Sequence, residues 1–403
     1  MGSCRRASGG RVTIAVPLAF VSLMAGLAGG CRSPVPFRGR PAADAPVAGL
    51  GAPVPYVRPP HSPPPLVDQR GPLPATPPDI YAATQAGMLS PAARGLPRRV
   101  YVPDANGTGV DVVDSSTYRV LRHITVGGAP RQIVPSWDLK TLWVTEPRGL
   151  VPIDSRTGVV GRLVPVAAPS DLYFSLDGRQ ALVLDSRRGR IEIRDPQTMR
   201  RRHTLRVPCT GLGSADFSAT GETLVVGCAK PGRLARVDLT RRKTAGTLTL
   251  PAGSDPQDVR LSPDGATFYV ADAGHGGVWL IDAVRFRRTG FIRTGRGAHG
   301  LYPSRDATVL YVTNGGERTI SRISFARRRA IGRWRVPAAP DTGGVSATGR
   351  VLWFSAPAAD AIYAVSTRTG RVLRKVTVGQ SPQGLCVHPQ PGRFSLGHTG
   401  NYR

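Results

Sequence analysis

The strongest constraint on this chain is a skeleton that recurs along it: a turn, an apolar and β-branched run, a short break, and a second such run. It stands as LSPDGATFYVADAGHGGVWLID at Leu261 to Asp282, and its core returns as SWDLKTLWVTE from Ser136, SRDATVLYVTN from Ser304 and SATGRVLWFSA from Ser346. The strand that follows the turn starts at Val100, Leu142, Ala181, Leu224, Phe268, Leu310 and Leu352, in steps of 42, 39, 43, 44, 42 and 42 residues. A period near 40 with several short strands per unit predicts propeller blades. Each unit offers four runs, such as DPQDVRLS, TFYVAD, GVWLID and RRTGFIRTG. Between the first two, Pro263 presets its φ, Asp264 can bond local amides, and Gly265 accepts a positive φ without strain.

The predicted fold class is therefore all-β: a seven-bladed β-propeller of four-stranded antiparallel blades. The third runs, VDVVD at Val110 or VWLID at Val278 among them, are rich enough in Val, Ile and Leu to be buried on both faces, as stacked blades require. The chain enters at the second strand of a blade, RRVYVPD, and the seventh inner strand is SPQGLCVHP at Ser381 to Pro389. Pairing these two closes the last blade with the N-terminal and C-terminal strands and leaves no open sheet edge. The following PGRFSLGHTGNYR is not readable as strand.

LYVTN at Leu310 to Asn314, SPDG at Ser262 to Gly265 and ITVGGAPRQI at Ile124 to Ile133 resemble the YVTN-type β-propeller repeat family over about Val100 to Pro389. The resemblance implies the fold and leaves the activity open. Similar repeats occur in bacterial surface and periplasmic proteins, while related propellers include lactonases and subunits of amine dehydrogenases.

Residues 1–30 read as an export signal, with Arg5, Arg6 and Arg11 ahead of the apolar run VTIAVPLAFVSLMAGLAGG. The small residues before Cys31 resemble the lipobox of bacterial lipoproteins. By that resemblance the peptide is cut before Cys31, whose thiol carries lipid, and the protein sits on the extracellular side of the cell membrane; simple secretion is the alternative. Residues 31–97 are Pro-rich and read as a disordered linker, and residues 98–403 as the propeller. The formal charge of +28 is nearly all arginine, with four lysines among 54 basic residues. It points to an anionic membrane or wall surface, or to an arginine-biased genome. Nucleic acid fits the charge but is seldom met by an exported chain.

Four-stranded blades put their turns on two opposite faces. The loops into the inner strands and the second-to-third loops form what we call the mouth face; the Pro-Asp-Gly turns and the third-to-fourth turns form the turn face. Inner strands line a propeller's channel, so their first residues are the candidate ligand contacts. Aligned, these give Arg131, Ser170, Gly213, Gln257, His299, Asp341 and Gln383, with Asp171 and Asp258 one place further in. Arg131, Gln257, Asp258, His299, Asp341 and Gln383 are the candidate binding set. His299 beside Asp341 or Asp258 is the candidate acid–base pair, and His299 with His275 the starting point of any metal site. GxSxG, HExxH, CxxCH and a phosphate loop are absent from the sequence, so no catalytic residue, metal or cofactor is assigned. The expected role is a binding or scaffold module for an envelope protein, polymer or small ligand. A lactonase-like hydrolase and an accessory subunit of a redox enzyme are the alternatives. Cys209 and Cys228 fall on the mouth face of one blade and are expected to form a disulfide. Arginine runs at 200–202, 287–288 and 327–329, with Arg241, Arg242, Lys243, Arg374 and Lys375, recur at the third-to-fourth turns and predict a basic crown on the turn face.

Overall fold

The computed structural model describes residues 79–398 and 400–403; the signal peptide, Cys31 and most of the linker lie outside them. Seven antiparallel sheets follow one another around a ring. Blade 1 comprises Cys386–His388, Arg99–Pro103, Gly109–Asp114 and Val120–Thr125, from the inside out. The second strands of blades 2 to 7 are Thr141–Glu146, Ala181–Asp185, Thr223–Lys230, Thr267–Asp272, Val309–Asn314 and Val351–Ala356. Blade 1 is closed as the sequence implies: Arg99 pairs with His388, Val100 with Val387 and Tyr101 with Cys386.

The repeating run alternates because each second strand serves two interfaces. Val100 and Val102 pack toward Trp353 of blade 7, and Tyr101 toward Leu142 of blade 2. Phe268 and Val270 pack toward blade 4, Tyr269 and Ala271 toward blade 6. Seven apolar clusters result, one for each neighbouring pair of blades. The ring is thus continuous, and period-2 alternation with both sides buried is what holds it.

The turns recur for a reason also visible in the bonds. Ser262 Oγ donates to Asp264 Oδ1 and accepts from the Thr267 amide at 2.9 Å, while Gly265 takes φ +70°. The same serine–carboxylate clasp stands at Ser136–Asp138, Ser175–Asp177 and Ser304–Asp306.

Two segments depart from the repeat. Residues 79–97, at the end of the stretch read as linker, are packed on the turn face. The Ile80 amide bonds Pro263 O, the Gly87 amide bonds Ala347 O, and Tyr81, Ala93 and Leu96 are buried. The segment left unread after Pro389 forms two short strands, Ser395–Gly397 and Asn401–Tyr402, which extend the sheet of blade 3 from its inner edge. Tyr402 joins Ala93, Leu96 and Leu139 in an eighth cluster, so the two segments pack together.

Candidate ligand-binding site

An inner strand is a sheet edge, and its outward amides need partners. Side chains of the preceding blade supply them. Tyr173 Oη accepts from the Ala215 amide at 2.7 Å, Asp216 Oδ2 from Leu261 at 2.8 Å, Asp258 Oδ2 from Leu301 at 2.8 Å, and Tyr302 Oη from Gly343. Each acceptor stitches its blade to the next one. Asp258, a candidate ligand contact by sequence, is 2 % exposed, and its other oxygen accepts from the Val259 amide at 2.8 Å. Both of its oxygens are committed to the ring.

Beside this stitching the segment 390–403 brings charge into the channel. His398 Nδ1 lies 2.8 Å from Asp171 Oδ2, and its Nε2 lies 3.2 Å from Ser214 Oγ and 3.9 Å from Asp258 Oδ1. The imidazole stacks on the Tyr173 ring and is buried. Burial disfavours its charge, but the carboxylates of Asp171 and Asp258 outweigh that and hold its pKa above the ordinary histidine value. Asp216 Oδ1 accepts from Asn401 Nδ2 and from Arg403 Nη2, both at 2.9 Å. Arg403 also lies over the Tyr81 ring, 5.3 Å from its centroid. Arg260, fully buried, donates to Leu301 O, with Asp258 3.9 Å away. Residues 79–97 and 390–403 together cover the channel from the turn face.

What remains open is the mouth. Arg131 is exposed; Gln257, His299, Asp341 and Gln383 are half-buried. His299 Nδ1 stands 3.5 Å from Asp341 Oδ1, too long for a strong hydrogen bond, and makes none with any neighbour. The Asp341 backbone is fixed from both sides: its amide bonds Ser355 O at 2.9 Å and its carbonyl accepts from Thr313 Oγ1 at 2.8 Å. Thr313 also holds the Gly300 amide next to His299, at 2.8 Å. One hydroxyl therefore sets the spacing of the pair. His275 does not join them; its Nδ1 lies 3.1 Å from Asp272 and its ring packs edge-on against Trp279. Among the described residues, no three His, Cys, Asp or Glu side chains converge to hold a metal. The Cys209–Cys228 disulfide is present, with Cys228 opposite Leu212 in the mouth-side half of blade 4. Cys386 is a buried free thiol whose pKa burial pushes up to about 12.

Alignment of the inner strands in the sequence put forward the mouth residues and passed over the layer beneath them. The missed residues, Tyr173, Asp216, Arg260 and Tyr302, stand two places beyond Asp171, Ser214, Asp258 and Gly300. Extending the alignment by one period of the strand would have reached them. His398 and Arg403 carry no such signal, because the segment holding them lies outside the repeat.

A ring of seven such blades defines a seven-bladed β-propeller. The chain belongs to the YNCE-like β-propeller family, whose model matches residues 65–391. No curated protein matches it. Among solved structures it is similar to hydrazine synthase of Kuenenia stuttgartiensis (16% identity, TM-score 0.61, 70% of this chain and 95% of that one). It is similar also to the periplasmic gluconolactonase of Pseudomonas aeruginosa (19%, TM-score 0.61, 72% and 98%). A protein of unknown function from Desulfotomaculum acetoxidans matches likewise (14%, TM-score 0.64, 72% and 99%). At these identities the likeness concerns the fold.

Proposed function

We propose that the protein is a non-catalytic binding module of the cell envelope, exported and anchored through Cys31, which takes a small polar ligand at the mouth of its channel. The observation that carries this reading is the contrast between two layers. The deeper acids, Asp171, Asp216 and Asp258, are bonded to amides, His398 and Arg403. The accessible layer keeps Arg131, Gln257, Gln383 and the loosely spaced His299–Asp341 pair free to meet a ligand. Such a set suits a molecule with one anionic group for Arg131 and hydroxyl or amide groups for the rest.

The His299–Asp341 pair also favours a second reading, a hydrolase in which Asp341 orients His299 as base toward a water. The two are separated by native mass spectrometry of the full chain purified from its own host, followed by a lactone panel. A bound small molecule that is lost in His299→Ala and in Asp341→Asn, with no turnover of the panel, supports the binding module. Hydrolysis abolished by His299→Ala overturns it in favour of the enzyme. A bare chain in both wild type and variants removes the mouth as a ligand site.

A further inference from the structure

Large apolar side chains scattered singly over a surface need no explanation; a patch does. Here every exposed large hydrophobic among the described residues stands toward the turn face. Six form one strip across three consecutive blades: Val372 and Leu373 on blade 7, Val120 and Leu121 on blade 1, Val159 and Val160 on blade 2. Side chains beside it bridge the three blades. The Arg374 guanidinium lies over the Tyr118 ring, linking blades 7 and 1, and Arg122 Nη2 donates to Thr157 O, linking blades 1 and 2. Val284 and Ile331 extend the same rim on blades 5 and 6.

Arginine is interleaved with it. The tetrapeptide Arg-Val-Leu-Arg occurs twice, at 119–122 and 371–374, with all eight residues exposed, and Arg156 and Arg162 flank Val159 and Val160. The carboxylates nearby are turned to the backbone: Asp114 accepts from the Ser116 and Thr117 amides, Asp154 from the Arg156 and Thr157 amides. The chain also reaches Asp79 on this face, beside the blade 5 turn at Pro263.

We infer that this strip docks the propeller on an anionic phospholipid surface, with Val and Leu entering the headgroup boundary and the arginines meeting phosphates. A protein partner would want a packed core built on aromatic anchors, whereas this strip offers only small aliphatic side chains alternating with arginine, which match an interfacial membrane surface. Docking in this orientation leaves the mouth facing away from the bilayer.

The test is hydrogen–deuterium exchange of the full chain on phosphatidylcholine vesicles with and without phosphatidylglycerol, alongside flotation. The expected result is slower exchange of peptides covering 119–122, 156–162 and 371–374 on phosphatidylglycerol vesicles alone. Arg119→Gln with Arg371→Gln should lower vesicle partitioning by roughly fivefold per arginine, and Leu121→Ser with Leu373→Ser should lower it as well. All four side chains are exposed, so these variants keep the fold. Vesicle-bound chain whose strip exchanges as in solution is held by its leader alone and overturns the inference. So does equal protection on pure phosphatidylcholine, by soluble polyglutamate, or in concentrated protein without lipid, which would assign the strip to a neutral bilayer, a polymer or a second copy.

Discussion

Acid should open the ring at its seam. Blade 1 is closed by three residue pairs, and His388 is one of the six residues involved. Its imidazole is 1 % exposed, stands edge-on to Tyr101, and has no hydrogen-bond partner at either nitrogen. Burial therefore pulls its pKa from 6.5 down to about 4. With the folded value depressed, the unfolded chain binds the extra proton between these limits. The neutral ring's contribution is complete above pH 6.5, fades as pH falls toward 4, and is constant below. A difference of about 2.5 pH units corresponds to roughly 3 kcal/mol, a large part of a domain's net stability. Urea unfolding of wild type and His388→Leu at about pH 7.5, 5.5 and 4 isolates this group, because every other titration is shared. Near neutrality leucine should lie within about 1 kcal/mol of wild type, since no hydrogen bond is lost. Near pH 4 it should have gained roughly 3 kcal/mol relative to wild type. A wild-type-minus-variant difference that stays flat across this range would refute the reasoning.

Two further substitutions probe the covered side of the channel and the rim of the mouth. Arg403→Ala removes a guanidinium from Asp216, which has no solvent exposure, and should lower the unfolding free energy by roughly 3 kcal/mol; a loss below about 1 kcal/mol would mean that Asn401 and the amides suffice. Cys209→Ser with Cys228→Ser opens a loop spanning 19 residues, for which chain entropy gives about 3 kcal/mol. Reductant should shift the wild-type urea midpoint to that of the double serine variant and leave the variant unmoved.

The blades were legible because their signal is local and repeated. Turn chemistry at Ser262–Gly265 and alternation in Phe268–Ala271 each span a few residues and recur at every period, so register, closure and the two faces all follow from counting. The disulfide was legible by the same count, which put Cys209 and Cys228 at one end of one blade. The role of Asp258 was not, because the amide that occupies it belongs to Leu301, a full blade away, and only the ring's curvature brings them together. Residues 79–97 read as linker since their proline, alanine and glycine give no period; what fixes them is a few side chains, Tyr81 and Leu96 among them, set into gaps of the turn face. His398 and Arg403 were illegible for a related reason. Two strands of two and three residues leave no pattern, and their partners Asp171 and Asp216 are more than 180 residues away.

The covered turn face and the open mouth impose a direction on the molecule. On the turn-face side the channel layer is occupied by the buried Asp171–His398 and Asp216–Arg403 pairs, and it is on the mouth side that the candidate residues meet solvent. The surface proposed for docking is then the outside of that closed face, where the apolar strip and arginines lie. The two proposals consequently rest on separate residues: His299, Asp341 and Arg131 on one side, Leu121, Leu373 and the paired Arg-Val-Leu-Arg segments on the other. Substitutions on the strip should leave ligand occupancy at the mouth unchanged, and substitutions at the mouth should leave vesicle binding unchanged. Coupling between them would run through the segments 79–97 and 390–403, which join the channel layer, by Tyr81 at Leu261 and by His398 and Arg403 at Asp171 and Asp216, to the turn-face cluster of Ala93, Leu96, Leu139 and Tyr402.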